Sequence, residues 1–123
     1  MILEPTAVVL YVDNLALSSK FYQDLLGITP EEASATFHTF TLLNGMGLGL
    51  KAKHAVEPPA DKNGSGELAF TLDNNKKVDE LFAEWQEKDI NMALPPTIMP
   101  YGYTFVALDP DDNRLRVVSL GKS

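Results

Sequence analysis

Val8-Val9-Leu10-Tyr11-Val12-Asp13-Asn14 returns, sixty residues on, as Leu68-Ala69-Phe70-Thr71-Leu72-Asp73-Asn74. Each copy is an apolar run closed by Asp-Asn, and each leads into an amphipathic segment. There Phe21, Tyr22 and Leu25 correspond to Leu81, Phe82 and Trp85. Self-similarity at a long period makes the fold a pair of similar modules. The same alignment sets Ala7 opposite Glu67, two positions that bear on function.

Ala7 to Val12 reads as a buried strand, apolar and β-branched, bounded by Pro5 and Asp13-Asn14. Asn14 is a helix cap, Leu17, Phe21 and Leu25 recur at helical spacing, and Gly27 ends the helix. Phe37 to Leu43 is strand-like, Asn44-Gly45 marks a tight hairpin, and Met46 to Ala52 follows. Lys53 to Gly66 is polar, with Pro58-Pro59 and Asn63-Gly64, and reads as the loop between modules. Glu67 to Leu72 is the matching strand, and Asn74 or Asn75 starts the second helix. Its stripe Val78, Leu81, Phe82, Trp85 marks Trp85 as a core residue. Asn91 to Thr97 is a weak extended segment limited by Pro95-Pro96. Tyr103 to Leu108 and Leu115 to Leu120 are strands joined by the turn Asp109-Pro110-Asp111-Asp112-Asn113. Each half is therefore strand–helix–three strands, with modules at about 1–53 and 66–123 of a single 123-residue domain.

The chain is 45% hydrophobic, enough for a core, and has no cysteine, which excludes disulfides and thiolate chemistry. A net charge of −7 disfavours nucleic acid and anionic membrane surfaces as partners. No apolar run approaches the roughly 20 residues of a membrane helix, and Met1 to Thr6 lacks the pattern of an export signal. The expectation is a cytoplasmic protein.

Tyr11-Val12-Asp13-Asn14-Leu15, followed by Ser18, Phe21-Tyr22 and Leu25-Leu26-Gly27, together with the Asp109–Asn113 turn, resembles the vicinal-oxygen-chelate superfamily. That superfamily includes glyoxalase I, extradiol dioxygenases and bleomycin-resistance proteins. The resemblance covers nearly the whole chain. It implies an α+β glyoxalase/bleomycin-resistance fold, in which two βαβββ modules form curved mixed sheets around a cavity. It also implies a homodimer with two such cavities. The segment Val78 to Trp85 and the run from Asp109 to Val117 resemble the metal-free branch that binds phenazine-type antibiotics. Asp112 replaces a common Gly in that turn, a position where Asp tolerates a left-handed backbone.

Enzymes of the superfamily hold a divalent metal with His and Glu side chains. The resemblance carries the ligand positions to Ala7, Gly49, Glu67 and Arg116. Only Glu67 offers a donor, and Arg116 is a cation, so the expectation is no metal and no cofactor. Isomerisation or dioxygenation then lacks its electrophile, and the enzyme reading is the weaker one. Ser18 and Ser19 at the start of the first helix suggest capping and surface roles. His54 sits in a polar loop and reads as solvated. The phase of the strand carrying His38 stays open: facing inward, His38 lines the cavity; otherwise it packs at an edge.

Setting the strand phase from the family's ligand positions turns Ala7, Val9 and Tyr11 inward, with Gly47, Gly49 and Lys51, and Glu67, Ala69 and Thr71. Small residues there leave room for a ligand. Tyr101, Tyr103 and Phe105 offer aromatic surface near the mouth, or else pack in the core or at a dimer seam. Glu67 and Arg116 form an ion pair that either neutralises the cavity floor or orients a polar ligand group. The candidate ligand-binding residues are thus Val9, Tyr11, Gly49 and Lys51 in the first module and Glu67 and Arg116 in the second. To these are added His38 and Phe40, and Tyr101, Tyr103 and Phe105. The expected function is sequestration of a small aromatic compound, such as an antibiotic, by a metal-free homodimer. The alternatives are a glyoxalase-type lyase or isomerase with an atypical metal site, and a structural dimer with a vestigial cavity.

Overall fold

Strand alternation and two asparagine caps generate most of the architecture. In the computed structural model, Ile2 and residues 5–56 and 66–120 are described; Pro58-Pro59 and Asn63-Gly64 of the expected loop lie outside them. The chain divides into two compact units, Met1–Asn63 and Gly64–Ser123. The first runs β1 (Ala7–Val12), α1 (Leu15–Leu26), β2 (Glu32–Ala33), β3 (Phe37–Thr41) and β4 (Gly47–Ala52), then a 3-10 turn at Lys53–Ala55. The second runs β5 (Glu67–Leu72), α2 (Asn75–Glu87), β6 (Met92–Met99), β7 (Gly102–Leu108) and β8 (Arg114–Ser119). This is the βαβββ plan twice.

The two sheets have the same order, β1-β4-β3-β2 and β5-β8-β7-β6. In each, the first strand runs parallel to the last and the remaining pairs are antiparallel. A parallel neighbour requires a crossover, which the helix supplies. Each helix starts at a corresponding asparagine. Asn14 Oδ1 accepts from the Leu17 N–H at 3.1 Å, and Asn74 Oδ1 from the Lys77 N–H at 2.9 Å. Among the described residues no helix is long and apolar enough to cross a membrane.

One face of each sheet carries its helix. On β1, Leu10 and Val12 are buried, whereas Ala7, Val9 and Tyr11 are exposed. On β5, Phe70 meets Trp85 of α2 edge-on at 5.9 Å, and Trp85 and Phe82 both pack on Phe105. Trp85 is buried, as its stripe position predicts.

Helix α1 differs from expectation. Its buried side is Leu15, Ser18, Ser19 and Tyr22, while Leu17 is 55% exposed. The spacing from Leu15 is i, i+3, i+4, i+7, but two of its four positions are serines, which hide the stripe from a hydrophobicity reading. The serines are not at the surface: Ser19 Oγ lies 2.6 Å from His38 Nδ1 on β3 and accepts from Gln23 Nε2 at 3.1 Å. Strand β6 also runs longer than expected, through Pro95-Pro96. It is the sheet's edge, and its register against β7 shifts between Met92 and Thr97, where the prolines lack N–H groups for the ladder.

The Asp109–Asn113 turn fixes β8 against β5. Asp109 is buried, and its carboxylate accepts from the N–H groups of Asp111 and Asn113 and from Asn113 Nδ2. Asn113 Oδ1 accepts from the Gly66 N–H, and the Arg114 N–H donates to the Gly66 carbonyl. Asp112 takes the left-handed backbone, with φ 65. The clamp holds the register in which Glu67 stands beside Arg114, and Ala69 beside Arg116.

Candidate functional site

The helix-free face of the second sheet brings Glu67, Arg116 and Tyr101 together. Parallel pairing of β5 with β8 turns Glu67 and Arg116 to the same side. Arg116 Nε donates to Glu67 Oε2 at 3.3 Å, and Nη1 donates to the Tyr101 hydroxyl at 2.7 Å. The guanidinium carbon lies 5.8 Å from the Tyr101 ring centroid, a cation–π approach. Tyr101 belongs to the two-residue turn between β6 and β7. The next residue, Gly102, has φ 150, and a Cβ there would run into the Ser119 carbonyl. Only glycine lets the turn pass this close to β8, and so bring Tyr101 within reach of Arg116.

The Arg116 and Glu67 side chains are 20% and 41% exposed. Water therefore screens the ion pair, which is not a buried charge pair in the costly sense. Tyr101 is about half exposed. It also borders an open hollow of about 440 Å³, walled by Asn75, Ile98, Met99, Tyr103 and Leu120 among others. Asn75 Oδ1 is buried there without a partner among the described residues.

On the first unit, the helix-free face carries Val9 and Tyr11, 47% and 43% exposed, with Lys51. Lys51 Nζ stands 5.3 Å from the Phe37 ring centroid. Phe37 and Thr39 belong to this face because they pair with Lys51 and Gly49. Sequence reasoning missed both. The signal was available: once β4 is phased, the Asn44-Gly45 hairpin dictates which residues of β3 share its face.

Four expected site residues face the helices, and a fifth, Gly49, keeps its expected face but is covered. His38 and Phe40 pair with Leu50 and Leu48 and face α1, where His38 meets Ser19 and Phe40 is buried. Phe105 faces α2 and is fully buried against Trp85 and Phe82. Tyr103 stands on the same side as Phe105, and its hydroxyl donates to Asp79 Oδ1 of α2 at 2.6 Å. That hydrogen bond, with smaller contributions from burial and the Asp79 charge, holds the hydroxyl above the usual tyrosine range. Gly49 does not leave open space. A Cβ there would lie 2.9 Å from Phe37 Cε1, so the Phe37 ring already covers it. His54 is exposed.

The four ligand positions implied for a divalent ion do not fit one. Ala7 and Gly49 have no donor atoms, and the Glu67 carboxylate is engaged by a guanidinium. Among the described residues no group of three or more His, Asp or Glu side chains could hold a metal.

The fold and these motifs agree with comparison to known proteins. A profile of the Glyoxalase/Bleomycin resistance protein/Dioxygenase superfamily matches residues 5–117, and the chain belongs to that superfamily. A protein of Agrobacterium tumefaciens solved by NMR in solution is 47% identical, with a TM-score of 0.87 over 98% of this chain and 99% of that one. A glyoxalase/bleomycin resistance protein/dioxygenase from Nocardioides is 20% identical, with a TM-score of 0.85 over 98% and 86%. A lactoylglutathione lyase from Agrobacterium tumefaciens is 21% identical, with a TM-score of 0.78 over 94% and 92%. The last two likenesses concern the fold alone. A comparison with curated proteins found no match.

Proposed function

We propose that this member of the superfamily is a metal-free binding protein for a small, flat, aromatic molecule, and not an enzyme. The observation that carries the reading is the Glu67–Arg116–Tyr101 constellation, in which a guanidinium occupies a position to which the family resemblance carries a metal ligand. A half-exposed ring beside a hydrogen-bonding pair and an open hollow is what a ligand of this kind requires. An aromatic stack adds about 0.5–1.5 kcal/mol beyond area burial. Association into a homodimer and sequestration of an antibiotic are parts of the same reading. They are supported by the resemblance to the bleomycin- and phenazine-resistance branch.

The test is a screen of planar aromatic compounds, antibiotics included, read by tyrosine and Trp85 fluorescence and by melting temperature. Saturable binding that disappears in Tyr101→Ala is the expected result. Turnover of a hemithioacetal or catechol by the purified protein would overturn the reading. Sedimentation at micromolar concentration tests the dimer, and a stable monomer would remove it.

A further inference from the structure

We infer that Pro95, Pro96 and Thr97 close the open edge of the second sheet, and that β6 without them would pair with β6 of a second copy of this chain. The inference is independent of what the helix-free face binds. β6 ends its sheet, and no strand lies beyond it among the described residues. An edge strand presents unpaired N–H and C=O groups, which a strand of another molecule can use. The equivalent strand of the first unit, β2, also ends its sheet, but at two residues it is too short to template one. β6 has eight residues, so length does not protect it.

Charge does not protect it either. Met92-Ala93-Leu94-Pro95-Pro96-Thr97-Ile98-Met99 contains no charged residue, and Ile98 is 81% exposed. A long, uncharged, largely apolar edge self-associates unless proline interrupts it. Here the interruption is central. Pro95, Pro96 and Thr97 together hold a single N–H group, and the Thr97 hydroxyl donates to the Pro95 carbonyl at 2.6 Å. The register against β7 shifts on both sides of Leu94, between Met92 and Leu94 and between Leu94 and Thr97. Such bulges bend an edge out of line with an incoming strand. A regular partner strand therefore meets too few donors in the middle of β6, on an edge that is not straight. The partner held off is a second copy. Two antiparallel β6 strands can meet about a two-fold axis, with the same apolar residues on both sides. A charged strand would repel its own copy, and β6 has no charge with which to do so.

The experiment compares the parent with Pro95→Thr/Pro96→Val/Thr97→Val, by sedimentation from about 1 to 100 µM and by amide hydrogen exchange. At the top of the range the triple variant is expected to reach at least about twice the mass of the parent. The β6 amides that both proteins share are then expected to exchange more slowly in the variant. Where the triple variant does not fold, Pro95→Thr with Pro96→Val carries the test, with the same expectation. A folded variant that keeps the parent's mass at every concentration overturns the inference. Association that leaves exchange in β6 unchanged also overturns it, because the contact then lies elsewhere. So does a parent whose β6 amides gain protection as its concentration rises, because its edge is then already in use.

Discussion

Arg116 and Glu67 hold one another through a single contact on a face that water reaches. Removing one partner from a deeply buried pair costs about 3–5 kcal/mol, whereas exposed pairs are worth about 0.2–1 kcal/mol. The exposures place this pair at the lower end. A cycle of Glu67→Gln, Arg116→Met and the double variant, measured by urea unfolding, is expected to give a coupling of about 0.5–1 kcal/mol. A coupling above about 3 kcal/mol would mean that the side chains are sealed from water. Tyr103 makes a different prediction. Its hydroxyl donates to Asp79, and its pKa is raised above the ordinary 10.0. For a raised pKa, the stabilisation is fully present below the unfolded value and is lost as pH rises through the folded one. Tyr103→Phe should be less stable than the parent by about 1 kcal/mol near neutrality, less if water substitutes for the partner. The gap should close as pH rises above about 10. Urea midpoints that keep a constant gap to about pH 11 would show that the hydrogen bond does not discriminate between the two forms of the phenol.

Elements were legible where a local signal stood alone. The Asp-Asn steps announced both helices because a side chain short enough to reach the N–H three residues on must sit at the cap. The Asp109–Asn113 turn was legible for the same local reason, whereas the ion pair was legible only through the ligand positions that the family resemblance implies. What escaped was phase. Phe40 and Phe105 are large and aromatic, which does not say which side of a strand they occupy. Ladder partners decide that: Leu48 for Phe40, Val117 for Phe105. Tyr101 fell on the right side for a reason alternation could not give, because it lies in the turn rather than in β7. Helix α1 escaped because it docks partly through Ser19. In Ser19→Ala, the His38 ring and the Gln23 amide each lose a partner. The loss is expected to be about 1–2 kcal/mol in chemical unfolding, and a variant as stable as the parent would show that water replaces the hydroxyl. Gly49 tests the first sheet in the same way. Gly49→Ala must push the Phe37 ring off β4, at about 1–3 kcal/mol. The penalty should shrink when Phe37→Leu is added, and equal penalties in both backgrounds would show that Phe37 is not the obstacle.

For the whole molecule, the superfamily's fold is present, and among the described residues the positions to which the resemblance carries its metal ligands offer one carboxylate, which a guanidinium engages. The consequence can be read thermodynamically, because any ion that binds only the folded state must stabilise it. A site occupied at a thousand times its dissociation constant would add about 4.1 kcal/mol. For a chain of this size each kcal/mol moves the melting temperature by roughly 2–8 °C. Such a site would therefore announce itself as a shift of roughly 10 °C or more between protein stripped with a chelator and protein in excess Zn²⁺, Ni²⁺, Fe²⁺ or Mn²⁺. With Ala7 and Gly49 offering no donor and Glu67 held by Arg116, the expected shift is within experimental error for all four ions. Elemental analysis of the purified protein should agree, with well under one equivalent of metal per chain. A large stabilisation by one ion, or about one tightly bound equivalent, would place a metal site elsewhere in the chain and reopen lyase or isomerase chemistry. In Glu67→Gln the same titration says whether that ion uses the one carboxylate that remains at the family's ligand positions.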